Sequence, residues 1–259
     1  MSNAHSADLT GHAGHHDHAH DHEEHHESFV SKYIFSMDHK MISRQFLLTA
    51  VVMAVIAMTM SIIFRLQLAW PGEKFAFINA MLGDKWGKDG ILDPNMYLAL
   101  VTIHGTIMVF FVLTGGLSGT FANLLIPFQV GARDMASGFL NMLSYWFFFL
   151  SSVIMLGSLF IEDGPASGGW TIYPPLSALP EAMPGSKLGM TLWLISMTLF
   201  VVSSLLGGIN YIVTIINLRT KGMKMTRMPL TMWAILITAI LGVLSFPVLV
   251  SAVVLLICY

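Results

Sequence analysis

Residues 98–128 read LALVTIHGTIMVFFVLTGGLSGTFANLLIPF and contain no Asp, Glu, Lys or Arg. A helix needs about 20 consecutive apolar residues to cross the hydrocarbon core of a bilayer. The stretch exceeds that length and shows none of the period-two alternation that marks the strands of a membrane barrel. It therefore predicts a transmembrane helix, with His104 as the one histidine inside a span.

Four further apolar stretches have the same character. The five predicted spans cover residues 42–70, 95–128, 139–161, 189–218 and 230–259. Of the 259 residues, 55% are hydrophobic and only 11% are charged, whereas soluble domains carry about 25% charged residues. We therefore expect an all-α, polytopic transmembrane helix bundle over residues 32–259, and we exclude a soluble enzyme. A net charge of −2 provides no basic field for nucleic acid.

Residues 1–31 form a separate, histidine-rich segment that contains nine of the eleven histidines. The segment has no apolar run, so it is not a secretory signal and cannot bury enough surface to fold alone. We expect a disordered cytoplasmic tail, and two interpretations stay open: a mobile polar tail, or a tail that binds metal through its imidazoles. The single cysteine, Cys258, excludes an intramolecular disulfide and a Cys-x-x-Cys metal site.

The charges between the spans predict the orientation. One set of connections carries Lys32, Lys40, Arg44, Arg133, Arg219, Lys221, Lys224 and Arg227. By the positive-inside rule these connections and the N-terminus are cytoplasmic, and the connections 69–93 and 162–188 face outward. The last span ends in VLLICY without a polar flank. Because a chain end in mid-bilayer would strand a carboxylate in hydrocarbon, we expect the front part of a longer protein.

Two polar side chains lie in the outer half of the predicted bundle. His104 has the chemistry of an axial haem ligand, but a histidine bonded to a neighbouring helix would have the same sequence context. The glycines at 105, 115, 116 and 119 leave a thin face, meaning a side of the helix without side chains, against which a macrocycle or a helix can pack. Arg65, near the outer end of the first span, either snorkels to the surface or pairs with a cofactor.

A second polar set lies toward the inner side. It comprises Asp134 in the connection 129–138, and Asn123, Asn141, Ser144, Ser203, Ser204 and Asn210 in the flanking spans. A carboxylate at a membrane surface followed by neutral groups that orient water is the chemistry of a proton path. Serines and asparagines are also routine in helix packing, and spacing does not choose between the two interpretations.

Five strings together resemble subunit I of the haem–copper oxidases, the cytochrome c oxidase family. They are SMDHKMISRQF (36–46), HGTIMVFF (104–111), ANLLIPFQVGARDMASGFLNMLSYW (122–146), GGWTIYPPLS (168–177) and SSLLGGINYIVTIINLR (203–219). Their order is unbroken over residues 32–259. Ser43 stands where the family's first motif usually has glycine.

This resemblance implies a role for each polar residue. His104 would be one axial ligand of a low-spin haem A, Arg65 would contact that haem's formyl group, and Trp170 would lie near the propionates of the oxygen-reducing haem. Asp134 would open the D-type proton channel, which the resemblance lines with Asn123, Asn141, Ser144, Ser203, Ser204 and Asn210.

The resemblance also implies what these residues lack. The family has about twelve helices, and the ligands of its second haem and of copper B lie beyond the region corresponding to residue 259. These 259 residues would therefore hold no catalytic residue and would not reduce oxygen alone. The implied partners are the rest of subunit I, a copper-carrying subunit II, subunit III and cytochrome c, in a bacterial inner membrane. Three alternatives are a quinol-fed oxidase, a metal or ion transporter, and a purely structural membrane subunit.

Overall fold

The computed structural model describes residues 29–258, and it places them in a bundle of helices. The helices are α1 (His39–Ala69), α2 (Ala76–Trp86), α3 (Pro94–Val130), α4 (Gly138–Phe160), α5 (Leu188–Asn217) and α6 (Leu230–Cys258). All but α2 are long and apolar enough to cross a membrane, which confirms the predicted all-α bundle with five spans. The described part contains no strand. The histidine-rich tail lies outside the described residues, except for its last three positions.

Side-chain caps explain where three of the spans begin. Asp38 accepts a hydrogen bond from the backbone N–H of Lys40 at the start of α1. Asp93 does the same for two N–H groups at the start of α3, where Pro94 occupies the first helical position. Ser137 caps α4. Short oxygen-bearing side chains satisfy the N–H groups that a first helical turn leaves without partners.

The middle of α3 is wound more widely than an α-helix. Residues Ile107–Leu117 form a π-helix, and the Thr114 hydroxyl donates to the Val109 carbonyl, five residues back, at 2.8 Å. Such segments are rare and occur often at functional sites.

The thin face of α3 packs against neighbouring helices. A Cβ added at Gly116 would collide with Ala50 of α1, and one at Gly119 would collide with the Phe46 ring. At Gly115 the obstacle is the Phe148 ring of α4. These three glycines therefore allow neighbouring helices to approach closely. Of the two expected uses of this face, packing of a macrocycle or of a helix, they serve the packing of helices.

The helices pack in an order that follows the chain. α1 packs against α3 and α4, while α5 packs between α4 and α6. Phe111, Phe148 and Phe200 meet in the centre with ring centroids 5.6–6.4 Å apart, and all three are almost fully buried. This aromatic cluster joins α3, α4 and α5.

The connections collect at two ends of the bundle. The basic end comprises residues 36–44, 131–137 and 218–229, where the Thr220 N–H donates to the Val130 carbonyl at 3.0 Å. At the opposite end the Lys85 ammonium donates to the Glu162 carbonyl, and the Leu92 N–H donates to Gln67 at 3.0 Å. The positive charges expected on the cytoplasmic side therefore share one end, and their sidedness stays a prediction.

We predict that Gly116→Ala destabilises the bundle by about 1–3 kcal/mol, the usual cost of overpacking a close contact. The reason is that the new methyl group meets Ala50 across the α1–α3 contact. Gly157→Ala is the matched control, because a Cβ there has no neighbour within 4 Å. Unfolding in detergent by denaturant measures both, and equal stability of the two variants would contradict the prediction.

Candidate functional site

His104 is held by a backbone carbonyl of the adjacent helix. Its Nδ1 lies 2.8 Å from the carbonyl oxygen of Ala57 in α1, and Phe64 meets the imidazole edge to face with centroids 5.5 Å apart. A carbonyl oxygen only accepts hydrogen bonds, so Nδ1 carries a hydrogen, and in the neutral imidazole Nε2 then has the lone pair. A neutral imidazole with its other nitrogen bonded to a carbonyl is the form in which histidine binds metals.

Trp170 packs against the glycine that follows His104. A Cβ added at Gly105 would be 3.3 Å from Cβ and Cδ1 of Trp170, so the tryptophan rests on the glycine next to His104. The Gly169 N–H donates to the Thr102 hydroxyl at 2.8 Å, which fastens the connection 161–187 to α3. The structure thus brings Trp170 and His104 into one region.

Arg65 remains apart from this pair. Its side chain is exposed, and its Nε donates to the Ser61 hydroxyl of the preceding turn at 3.1 Å. It lies eight residues beyond Ala57 in α1, about 12 Å along the helix axis. No hydrogen bond in the described residues joins Arg65 to His104 or Trp170, so both interpretations of this arginine persist.

Asp134 stands at the basic end in contact with a buried histidine. His39 Nδ1 lies 3.0 Å from Asp134 Oδ1, and the Met135 N–H donates to the same oxygen at 2.7 Å. The His39 side chain is 4% exposed and the Asp134 side chain 44% exposed. The carboxylate is therefore fixed from the protein side and open to solvent on the other. Sequence reasoning assigned His39 no role, although it belongs to the quoted string SMDHKMISRQF.

Asn210 fastens the connection that carries Asp134. Its Oδ1 accepts from the Ser137 N–H at 2.9 Å and its Nδ2 donates to the Ser137 carbonyl at 3.0 Å. One turn further along α5, the Thr214 hydroxyl accepts from the Ala136 N–H at 2.9 Å. Asn210 thus holds residues 136–137 on α5, a packing role that the proton-path interpretation did not include. Thr214 was missed because threonine is common in spans.

Two buried asparagines lie above this connection. Asn123 and Asn141 are both 0% exposed. Neither amide atom of Asn141 has a hydrogen-bond partner, and neither has Asn123 Oδ1. A buried polar group without a partner costs about 1–3 kcal/mol, so such groups are rare in native proteins unless water or a ligand serves them. These amides favour a hydrated path over simple helix packing.

Three serines further along the bundle line one cavity of about 450 Å³ between α3, α4, α5 and α6: Ser144, Ser203 and Ser204. Each hydroxyl donates to a backbone carbonyl, as in the Ser203 bond to Ser144 at 2.6 Å. A hydroxyl oxygen keeps two lone pairs after donating its hydrogen. The serines therefore stabilise the helix contacts and still offer acceptors to the cavity.

Tyr211 is a further residue that sequence reasoning missed. It lines the same cavity, and its hydroxyl lies 3.3 Å from Asn123 Nδ2. A tyrosine hydroxyl next to Asn210 in an apolar span is the signal that was available. The described inner set thus forms three levels: His39 with Asp134, the two buried asparagines, and the serine cavity.

Most of this chain is similar to known proteins. The family model described as "Cytochrome C and Quinol oxidase polypeptide I" matches residues 41–259. The chain is 41% identical over 222 residues to the alternative cytochrome c oxidase subunit 1 of Bradyrhizobium diazoefficiens, covering 86% of this chain and 35% of that protein. It is 40% identical over 229 residues to cytochrome c oxidase subunit 1 of Candida albicans, covering 88% and 40%. The chain spans about 35–40% of the length of these relatives.

We predict that Asn210→Ala loosens the connection 131–137, because it removes both hydrogen bonds to Ser137. The expected cost is about 1–3 kcal/mol for the backbone groups left unpaired. Limited proteolysis at this connection and the denaturant midpoint measure it. Thr198→Ala is the control, because that hydroxyl bonds only the Leu194 carbonyl of its own helix. Identical behaviour of the two variants would contradict the anchoring role.

Proposed function

The chain belongs to the cytochrome c and quinol oxidase polypeptide I family, and we propose that it forms the N-terminal part of the catalytic subunit of a proton-pumping haem–copper oxidase. In that function, electrons from cytochrome c would pass through a copper-carrying subunit to a low-spin haem and on to a haem–copper centre that reduces O2 to water. The remaining ligands of these groups would belong to the rest of the subunit. The proposed setting is a bacterial inner membrane, with the basic end in the cytoplasm.

The orientation of His104 carries this proposal. The hydrogen bond from Nδ1 to the Ala57 carbonyl fixes the ring, so that Nε2 would hold the iron of a low-spin haem A. When bound, the haem supplies a redox-active iron whose potential depends on its axial ligands and surroundings. Gly105 places no side chain next to His104, and Phe64 restricts rotation of the imidazole. Arg65 is the cation in α1 that can approach a polar edge of the haem.

The inner set supports proton uptake from the basic end. Asp134 is exposed enough to exchange protons with water, and His39 and the Met135 N–H hold it in place. The unpaired amide atoms of Asn123 and Asn141 provide donors and acceptors for water in an otherwise apolar interior. The serines extend this series toward the middle of the membrane.

A quinol-fed oxidase is the second candidate, because the matched family description includes quinol oxidases. The names of the relatives favour cytochrome c as the electron donor. Oxygen consumption by the purified complex with reduced cytochrome c, and separately with a quinol, decides between them. Activity with quinol alone would exclude the first proposal in favour of the second.

His104→Ala is expected to abolish the absorbance of the low-spin haem and to reduce oxidase activity to near zero, because one axial bond is lost. The optical spectrum of the purified complex measures this. His39→Ala is the histidine control: it lies at the basic end, so the haem spectrum should be retained. A normal low-spin spectrum in His104→Ala would show that His104 is not the ligand.

Asp134→Asn is expected to slow turnover strongly and to abolish proton pumping, while the haem content stays normal. The amide keeps the shape of the side chain and removes the group that exchanges protons. Pumped protons per electron in reconstituted vesicles measure the effect. A carboxylate that only stabilised its own turn would cost little, about 1 kcal/mol at most. An unchanged rate and ratio would therefore eliminate Asp134 as the start of the path.

A further inference from the structure

The Tyr211 hydroxyl lies between two levels of the inner polar set. Side chains of helical residues lean toward the helix N-terminus, and the Tyr211 oxygen is 3.5 Å from the position that a Cβ on Gly207 would occupy. Gly207 is ten residues from the end of α5 at Asn217, which is about 15 Å of helix. The hydroxyl therefore reaches about half the depth of a hydrocarbon core of about 30 Å.

The partner of this hydroxyl comes from the level below. Asn123 is seven residues from the end of α3, or about 10 Å of helix. Its Nδ2 donates to the Tyr211 oxygen at 3.3 Å and to the Gly119 carbonyl at 2.7 Å. Since Tyr211 accepts this bond, its own hydrogen is free to bond elsewhere. No described residue accepts that hydrogen.

The cavity is the space that this hydrogen can reach. Tyr211 lines it together with Ser144, Ser203 and Ser204, whose hydroxyl hydrogens are already donated to carbonyls. The rest of the wall is mainly apolar, as at Gly119, Gly207 and Phe46, and carries four further hydroxyl residues: Thr114, Ser118, Thr238 and Ser245. Of the described side chains that line the cavity, Tyr211 is the one hydrogen-bonded to the side-chain amide of a buried asparagine.

We propose that Tyr211 is a positioning residue that joins the asparagine level to the serine cavity, by orienting water between them. The phenol stays neutral: it accepts a hydrogen bond from Asn123 and donates one to water in the cavity, so the serine oxygens can accept the next hydrogen bonds. This inference rests on the proposed function, since it adds a member to the path that begins at Asp134.

Tyr211→Phe in the complete oxidase tests the proposal, because it removes the hydroxyl and keeps the ring. We expect turnover to fall about tenfold, the scale of one lost hydrogen bond, together with fewer pumped protons per electron and an unchanged haem spectrum. Tyr145→Phe is the matched control. That tyrosine is also buried, but its hydroxyl pairs with Thr49 at 3.2 Å and does not line the cavity, so rate and ratio should be normal.

The outcomes separate the two proposals. A normal rate and ratio in Tyr211→Phe, with Asp134→Asn impaired, would overturn the role of Tyr211 and leave the proposed function standing. Normal behaviour of both variants would overturn the path itself. If Tyr211→Phe fails to assemble, Gly207→Ala replaces it, because its methyl group would stand in the cavity 3.5 Å from the Tyr211 oxygen and exclude water from that position. Slower turnover with intact haem would then support the proposal, and an unchanged rate would overturn it.

Discussion

The close antiparallel contact between α1 and α3 positions both polar regions of the bundle. At the basic end the Ser43 hydroxyl donates to the Thr120 carbonyl at 2.9 Å. Gly116 lies against Ala50, and farther from the basic end the Ala57 carbonyl accepts from His104. Because lipid tails are as apolar as leucine, membrane helices associate through such close packing and polar contacts rather than through burial of apolar surface. The same contact positions the candidate haem ligand at one depth and the backbone around Asn123 at another.

The π-helical segment of α3 helps this helix to position both His104 and Asn123. The π-helical residues Ile107–Leu117 lie between His104 and Asn123. An extra residue per turn rotates the faces of a helix relative to one another. One helix can therefore direct His104 toward α1 and, further along, Asn123 toward Tyr211 of α5.

Composition and apolar length were sufficient to predict the bundle, since lipid leaves few choices for a spanning backbone. The spans predicted at residues 42–70 and 189–218 correspond in the structure to the helices His39–Ala69 and Leu188–Asn217. The short helix Ala76–Trp86 was not predicted, because it is shorter than a span and contains Gly83 at φ 72°.

The contacts of the site residues could not be predicted from the sequence. The partner of His104 is a backbone carbonyl, which no residue type reveals. The contacts of Asp134 with His39, and of Asn123 with Tyr211, join residues 95 and 88 positions apart, so only packing brings them together.

The hydrogen bonds of the inner set separate structural polar groups from those that remain available. Most serines in the spans donate to carbonyls, and Ser151 and Ser196 bond each other across α4 and α5. Asn210 satisfies both sides of its amide at Ser137. Asn141, equally buried, satisfies neither. Since an unpaired amide is costly in hydrocarbon, the contrast between these two asparagines assigns Asn210 to holding the fold and agrees with the proposed hydrated path at Asn141. Sequence spacing placed both in a single set, and the difference arises only from which of them meets a free backbone group.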